Sequence, residues 1–522
     1  MDAKTLPVKG EKSYSVPSES NGLMWTRRLV ILAFWAVVVF LGLPHWTWTT
    51  SISRSSLPLD AMNAWADGKT CQLQYPLDIH LQAPSLPAEQ TLALAGTIEA
   101  VLSAQDNLPL HSFRVLTSNA LTPDHVLTVK LDSAITPRVS LRSWEPILDI
   151  KLDMSQSINV GEIGPFIAQE ILRIFGDESA ALGYLIRSTN FAHVTQLPTL
   201  DATKQQALDG RTTRAFKAAS NYHITFSLFT PTASPSAWAI DAALQEYIEP
   251  LLHSLSSISN FTIDTQVQLY AAFSPSIAGP VYDEEKAAWT LNHADLTGFV
   301  NAAEWPLNPS IGAGPTINFV LYVPSPDRSP LLVEGDAGTS WIIPQWGGVQ
   351  IHNSASTDRL ELADLRPDMI TFADQLVSLL GVPQSPPSLP LRTSSLERER
   401  ATALILSASS TLGALARLTL KLTSIAIPES VAASVDDTLS RLNMACQDLR
   451  QGHFQSALAN ARVAESEVEH AFFFPSMVGQ VYFPEEHKVA VYVPLLGPMA
   501  VPLIMAGMKE LRSWLQNKRK TS

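Results

Sequence analysis

Two uncharged apolar stretches, one near each end of the chain, restrict its folding more than any other feature. Leu29 to Leu43 follows Arg27-Arg28 and runs fifteen residues without a charge, and Trp46 and Trp48 carry the unit on to bilayer length. Residues 29–48 therefore read as a transmembrane helix. Between Lys488 and Lys509 a further twenty residues, 489–508, carry no charge, which is the length of a second span. A cleaved signal peptide fits the first stretch less well. A long polar leader precedes it, and aromatic residues follow it where a cleavage site needs small ones.

Charge gives the expected orientation. The leader (1–28) nets +2 and the tail (509–522) nets +4, so the chain's formal −13 leaves −19 on everything between them. By the positive-inside tendency both tails are cytosolic, and residues 51–488 face a lumen or the exterior. So acidic a domain, with no evident basic patch, argues against a nucleic-acid partner. Two cysteines, Cys71 and Cys446, exclude a disulfide-rich scaffold. One long-range bridge stays open, but Cys446 lies on the apolar stripe Val435, Leu439, Leu442, Cys446, Leu449. Burial as a free thiol is the favoured reading there.

The ectodomain begins in a strand–helix rhythm. Leu73–Leu81, Ser112–Leu116, Val126–Leu131 and Ile147–Leu152 read as strands, and Ala88–Ser103 and Ile163–Phe175 as helices. Strand Tyr222–Phe229, helix Ala237–Leu255 and strand Thr265–Ala272 follow. Strand Ile317–Val323, a strand within Trp341–Ile351 broken at Trp346-Gly347-Gly348, and helix Met369–Leu380 complete the pattern. The expectation for 51–395 is an α/β domain, a mixed sheet flanked by helices. Pro383–Pro390 reads as a linker. Residues 396–472 then show three helical stripes separated at Pro428 and Gly452, a helical layer between the α/β part and the second span. The phrase at Gly452 to Leu458 resembles a tetratricopeptide helix, but no second copy follows at the required period.

Catalytic constellations are poor. Cys71 with His80 has no local activating context. Glu485-Glu486-His487 points its side chains in different directions at a membrane junction, and Glu334-Gly335-Asp336 reads as a solvated turn. No catalytic, cofactor or metal site is expected.

Motifs at both membrane edges resemble the PIG-S family, the S subunit of the glycosylphosphatidylinositol (GPI) transamidase. The first edge carries Gly42, Leu43, Pro44, Trp46, Thr49, Thr50, Arg54, Leu57 and Pro58 in the family's exit pattern, with Thr47 and Ser53 where tryptophan and tyrosine are usual. The closing edge carries Pro475, Ser476, Tyr482, Phe483, Pro484, Lys488, Ala490, Tyr492, Pro494, Leu495 and Pro498 through Pro502. Ser259 to Thr262, Glu304-Trp305, Asn318 to Pro324 and Trp346-Gly347-Gly348 also resemble the family. The resemblance implies a non-catalytic subunit in the endoplasmic-reticulum membrane. Its partners would be membrane lipid and other transamidase subunits, including a cysteine-protease-like one that breaks the bond. Residues alone leave two alternatives, a membrane-tethered luminal transferase or hydrolase and a two-span scaffold for polysaccharide assembly.

Four groups of residues are expected to matter. Gly42, Pro44, Trp46, Thr49, Thr50 and Arg54 would fix the exit of the first span. Asn260 heads the sequon Asn260-Phe261-Thr262, since Pro309 blocks Asn308. Pro494, Pro498 and Pro502, four residues apart, share one helical face that suits packing against partner spans. Lys518 and Lys520 end the chain in a K-x-K-x-x pattern that suits retrieval to the endoplasmic reticulum.

Overall fold

The computed structural model describes residues 20–50, 54–104, 108–117, 125–153, 160–189, 191, 197, 200–271, 278–296, 314–335, 338–353, 358–422, 425–478 and 485–521. The chain divides into two compact units, Leu57–Arg417 with Ala433–Phe472, and Met1–Ser56 with Leu418–Ala432 and Phe473–Ser522.

The larger unit contains two five-stranded sheets where the sequence suggested one. In the first, strands Tyr75–Gln82, His111–Leu116, Leu127–Ser133 and Ile147–Leu152 run parallel, and Arg138–Leu141 pairs antiparallel at one edge. In the second, Asn260–Gln268, Asn221–Phe229, Thr316–Tyr322 and Gly347–Ile351 run parallel in that order, and Ser340–Ile343 closes the far edge antiparallel. Between Ile147–Leu152 and Asn221–Phe229 the described residues form helices Val160–Arg187 and Ala202–Arg214, and no strand among them carries the first sheet into the second.

Central strands of the second sheet are apolar on both faces, as parallel strands covered twice must be. One face packs Phe226 and Phe319 onto Phe372 of helix Leu362–Leu379, with ring centroids 5.1–5.8 Å apart. The other presents Val320, Tyr322, Val349 and Ile351 to Leu291, Leu331 and Val333. The expected interrupted strand is a hairpin. Its glycine is obligatory, because a Cβ on Gly347 would lie 1.8 Å from the Asn318 carbonyl oxygen.

Two prolines share one device. The N-terminal helix runs from Asn21 to Thr50 through a π-turn at Val38–Gly42, two residues before Pro44. The helix Ile240–Ser254 has a π-turn at Leu244–Ile248, two residues before Pro250. A proline lacks the N–H and clashes with the carbonyl four residues back, and a wider turn relieves both faults without breaking the helix.

The three C-terminal stripes are helices Leu389–Lys421, Glu429–Gln451 and Phe454–Phe472, the last pair separated at Gly452, whose φ is +84°. Leu389–Lys421 is apolar enough to cross a membrane, yet half of its apolar window is buried, with Leu391, Ala401, Ile405, Leu412 and Leu415 in the core. Pro383–Pro390 is not a free linker. Ser388 is buried with its hydroxyl on the Glu145 carbonyl at 3.0 Å, and the Leu389 amide donates to Ser143 at 2.8 Å.

The reading of Cys446 as a buried free thiol is overturned. Cys71 and Cys446 form a disulfide with Cα atoms 6.0 Å apart. Both are buried, so the stripe places Cys446 correctly; the missing information was the partner, 375 residues away.

Candidate functional site

The smaller unit brings the membrane-edge residues together. Ser20 caps the N-terminal helix by accepting from the Leu23 amide, and Asn21–His45 is 25 residues long and apolar enough to span a bilayer. Gly42 closes the π-turn, and Pro44 begins the last two helical turns, Leu43–Thr50. The exit motif is therefore helical as far as Thr50. The side chains of Trp46, Thr49 and Thr50 lie outside the described part of the structure.

Arg54 has a definite place. Its guanidinium donates to the carbonyls of Thr419 and, at 3.4 Å, Leu422, and the next amide, Ser55, donates to Ile427 at 2.9 Å. Those carbonyls end the helix Leu389–Lys421. A cation there satisfies acceptors that have no intrahelical donor and complements the helix dipole.

The second apolar stretch lies within one helix, Glu485–Thr521. Near its end Glu510 accepts from Arg27 Nε at 3.0 Å and from Arg28 Nε at 2.9 Å, and an added Cβ on Gly507 would lie 3.3 Å from Trp35 Nε1. Pro494, Pro498 and Pro502 are exposed, together with Val501 and Met505. Nine residues separate Pro498 from Gly507, about half a turn out of phase, so the prolines face away from the helix that Gly507 touches. Lys518 lies on the final turns with Lys520, and their side chains are outside the described part.

Asn260 begins strand Asn260–Gln268 at the edge of the second sheet, five residues before the expected start of that strand. It is exposed, its Nδ2 donates to Asn221 Oδ1 at 3.2 Å, and the sequon's Thr262 hydroxyl meets His223 Nδ1 at 2.8 Å.

The larger unit also holds a buried charge network outside the residues expected to matter. Arg398 forks onto Glu178 with Nε–Oε1 2.5 Å and Nη2–Oε2 2.7 Å, His111 Nε2 lies 3.2 Å from the same carboxylate, and the Phe454 ring lies 4.9 Å from the guanidinium. Glu399 pairs with Arg211, and Arg400 donates to Ser259 Oγ at 3.2 Å and the Leu380 carbonyl at 2.9 Å. Burial disfavours the Glu178 carboxylate, but the Arg398 charge and then His111 outweigh it and hold its pKa well below the usual range. Burial pushes Glu399 and Glu397 upward instead, against Arg211 and against the Ser257 hydroxyl respectively.

The model described as "Phosphatidylinositol-glycan biosynthesis class S protein" matches residues 33–517, from within the first apolar helix almost to the end of the chain. The chain belongs to the PIG-S family. Relatives carry names of one kind. A rat protein named GPI-anchor transamidase component PIGS is 28% identical over 92% of this chain and 94% of its own length. The human protein of that name is 27% identical over the same shares. A Schizosaccharomyces pombe protein named GPI transamidase component PIG-S homolog is 29% identical over 94% of this chain and 85% of its own.

Of the other constellations in this PIG-S chain, the structure places Cys71 and His80. Cys71 is bonded to Cys446, and His80 Nδ1 lies 3.3 Å from the Gln82 amide nitrogen. Among the described residues no three His, Cys, Asp or Glu gather as metal ligands would. Asp336 and the side chains of Glu485-Glu486-His487 lie outside the described residues. Alternating charges such as the Glu397–Arg400 run ordinarily mark a solvated helix face. A hint was its place among Leu391, Leu396 and Ile405, on a helix too apolar to stand in water.

Proposed function

We propose that this chain is a non-catalytic membrane subunit of a GPI transamidase in the endoplasmic reticulum. Helices over 29–48 and 489–508 anchor it, with both tails cytosolic and residues 51–472 luminal. The observation that carries the reading is the PIG-S match from 33 to 517, with relatives named as transamidase components. Two others support it. The Cys71–Cys446 bridge suits an oxidising lumen and takes up both cysteines of the chain, leaving a thiol nucleophile to a cysteine-protease-like partner. The Arg27 and Arg28 contacts with Glu510 suit two tails on one side of the membrane.

Roles for the edge residues belong to the same proposal. The exit motif around Trp46 and Arg54 sets the chain's departure from the first span, and the exposed proline face packs against partner spans. Asn260 carries an N-glycan, and Lys518 with Lys520 returns uncomplexed chain to the endoplasmic reticulum. Purification in mild detergent tests the core claim. The expected result is co-purification with a cysteine-protease-like subunit, reduced when Trp46 and Arg54 are both alanine. A chain that purifies alone, or an ectodomain with its own hydrolytic turnover, overturns it. Glycosidase should shift the wild type but not Asn260→Gln, and Lys518→Arg with Lys520→Arg should release uncomplexed chain to later compartments. Absence of either effect removes that role.

A further inference from the structure

A cavity of about 550 Å³ lies in the larger unit among helices Val160–Arg187, Ala202–Arg214 and Leu362–Leu379, the segment Val382–Ser385, and the first turn of Leu389–Lys421. That volume is in the range of small-molecule sites. The cavity wall is basic inside a domain that is acidic overall. Lys204, Arg211, Arg214 and Arg392 line it against two carboxylates, Asp177 and Asp374.

Half of the cations are already matched. Lys204 Nζ lies 3.4 Å from Asp177, and Arg211 pairs with Glu399. Arg214 and Arg392 remain, and Asp374 is the one wall carboxylate left to oppose them. Each arginine has a buried Nε without a hydrogen-bond acceptor. A buried charged donor left unmet is unfavourable, so the site calls for an acceptor that the described residues do not supply.

The donors come from separate helices, Arg214 from the end of Ala202–Arg214 and Arg392 from the start of Leu389–Lys421. Two guanidinium groups lining one cavity from two helices suit a group with three acceptor oxygens better than the two in-plane oxygens of a carboxylate. Ser378, Gln384 and Ser385 add neutral hydroxyl and amide groups to the wall, which suit ligand hydroxyls. We propose that this cavity binds a phosphate ester of a polyhydroxylated group, with Arg214 and Arg392 holding the phosphate. A soluble phosphosugar and an inositol-phosphate lipid headgroup share that chemistry. The assignment is independent of membership in a transamidase.

The full-length chain in detergent is titrated calorimetrically with myo-inositol 1-phosphate, inorganic phosphate, and chloride at matched ionic strength. Saturable binding of the ester, weaker binding of phosphate and none of chloride are expected. Arg214→Gln with Arg392→Gln should weaken the ester at least about tenfold. Asp374→Asn removes the opposing charge and leaves both ligands in place, so it should tighten binding about threefold. In nanodiscs of phosphatidylcholine, adding phosphatidylinositol should lower ester affinity if the lipid headgroup is the source and leave it unchanged if a soluble ester is; either result supports the site. Failure of the wild type to bind ester or phosphate overturns the proposal. So does unchanged affinity in the double variant, or, where that variant does not fold, unchanged or weaker binding by Asp374→Asn.

Discussion

Arg392 and Arg398 stand six residues apart on one helix and meet opposite surroundings. Arg398 is fully buried, forked onto Glu178 and laid over Phe454, with only Nη1 lacking an acceptor. Arg392 is half-buried at the cavity, its pKa lowered by burial against the pull of Asp374. A neighbouring helix supplies a carboxylate to Arg398, whereas among the described residues none lies within ion-pair distance of Arg392. A buried charge is thus a structural member where its partner is built in and an open donor where it is not.

The largest effect should come from breaking the matched position. Arg398→Met leaves the Glu178 carboxylate buried without its cation and should cost about 3–5 kcal/mol, read as a drop in denaturation midpoint of the purified chain. Adding Glu178→Leu should restore most of the loss. A single variant no less stable than Arg392→Met would erase the contrast.

Next in size, Cys446→Ser should cost about 2–4 kcal/mol under oxidising conditions and nothing once the wild type is reduced. That pairing of measurements separates the covalent contribution to the helical layer from the ionic one.

Acid should act through Glu178. Its pKa is lowered on folding, so its contribution is complete above the unfolded value of 4.5 and lost as pH falls through the folded one. Glu397 and Glu399 are raised, so their contributions have the opposite sign, present below that value and lost as pH rises through theirs. Acid titration of stability should show a fall below pH 4.5 in the wild type that is shallower in Glu178→Leu/Arg398→Met. Parallel curves would count against Glu178 as the source.

The smallest effect is expected at the open position. Arg392→Met removes an unmet donor and should change stability by no more than about 0.5 kcal/mol in either direction. A loss as large as that from Arg398→Met would mean that the arginine already has a structural partner.

Legibility in the sequence followed from how local each cause is. Ala88–Ser103 and Ile147–Leu152 were readable to the residue because apolar period alone determines them. Strand Asn260–Gln268 begins five residues before the expected Thr265, since its polar residues lie at a sheet edge and carry no apolar run. Ala202–Arg214 has no buried face and so no stripe to find. Strand pairing is not written in periodicity, and two sheets therefore passed for one. The membrane-edge motif was legible as a string, but the carbonyls that Arg54 meets lie more than 360 residues further along.

The bridge between Cys71 and Cys446 also sets a timetable. A ribosome adding about 5–20 residues per second needs roughly 20 to 75 s to travel from one cysteine to the other. Throughout that interval the first thiol has no native mate, and any partner it finds is a wrong one. The bond can close only after both sheets and most of the C-terminal helices have been delivered. Closure therefore certifies a nearly finished domain, and a non-reducing gel of newly made chains can date that moment.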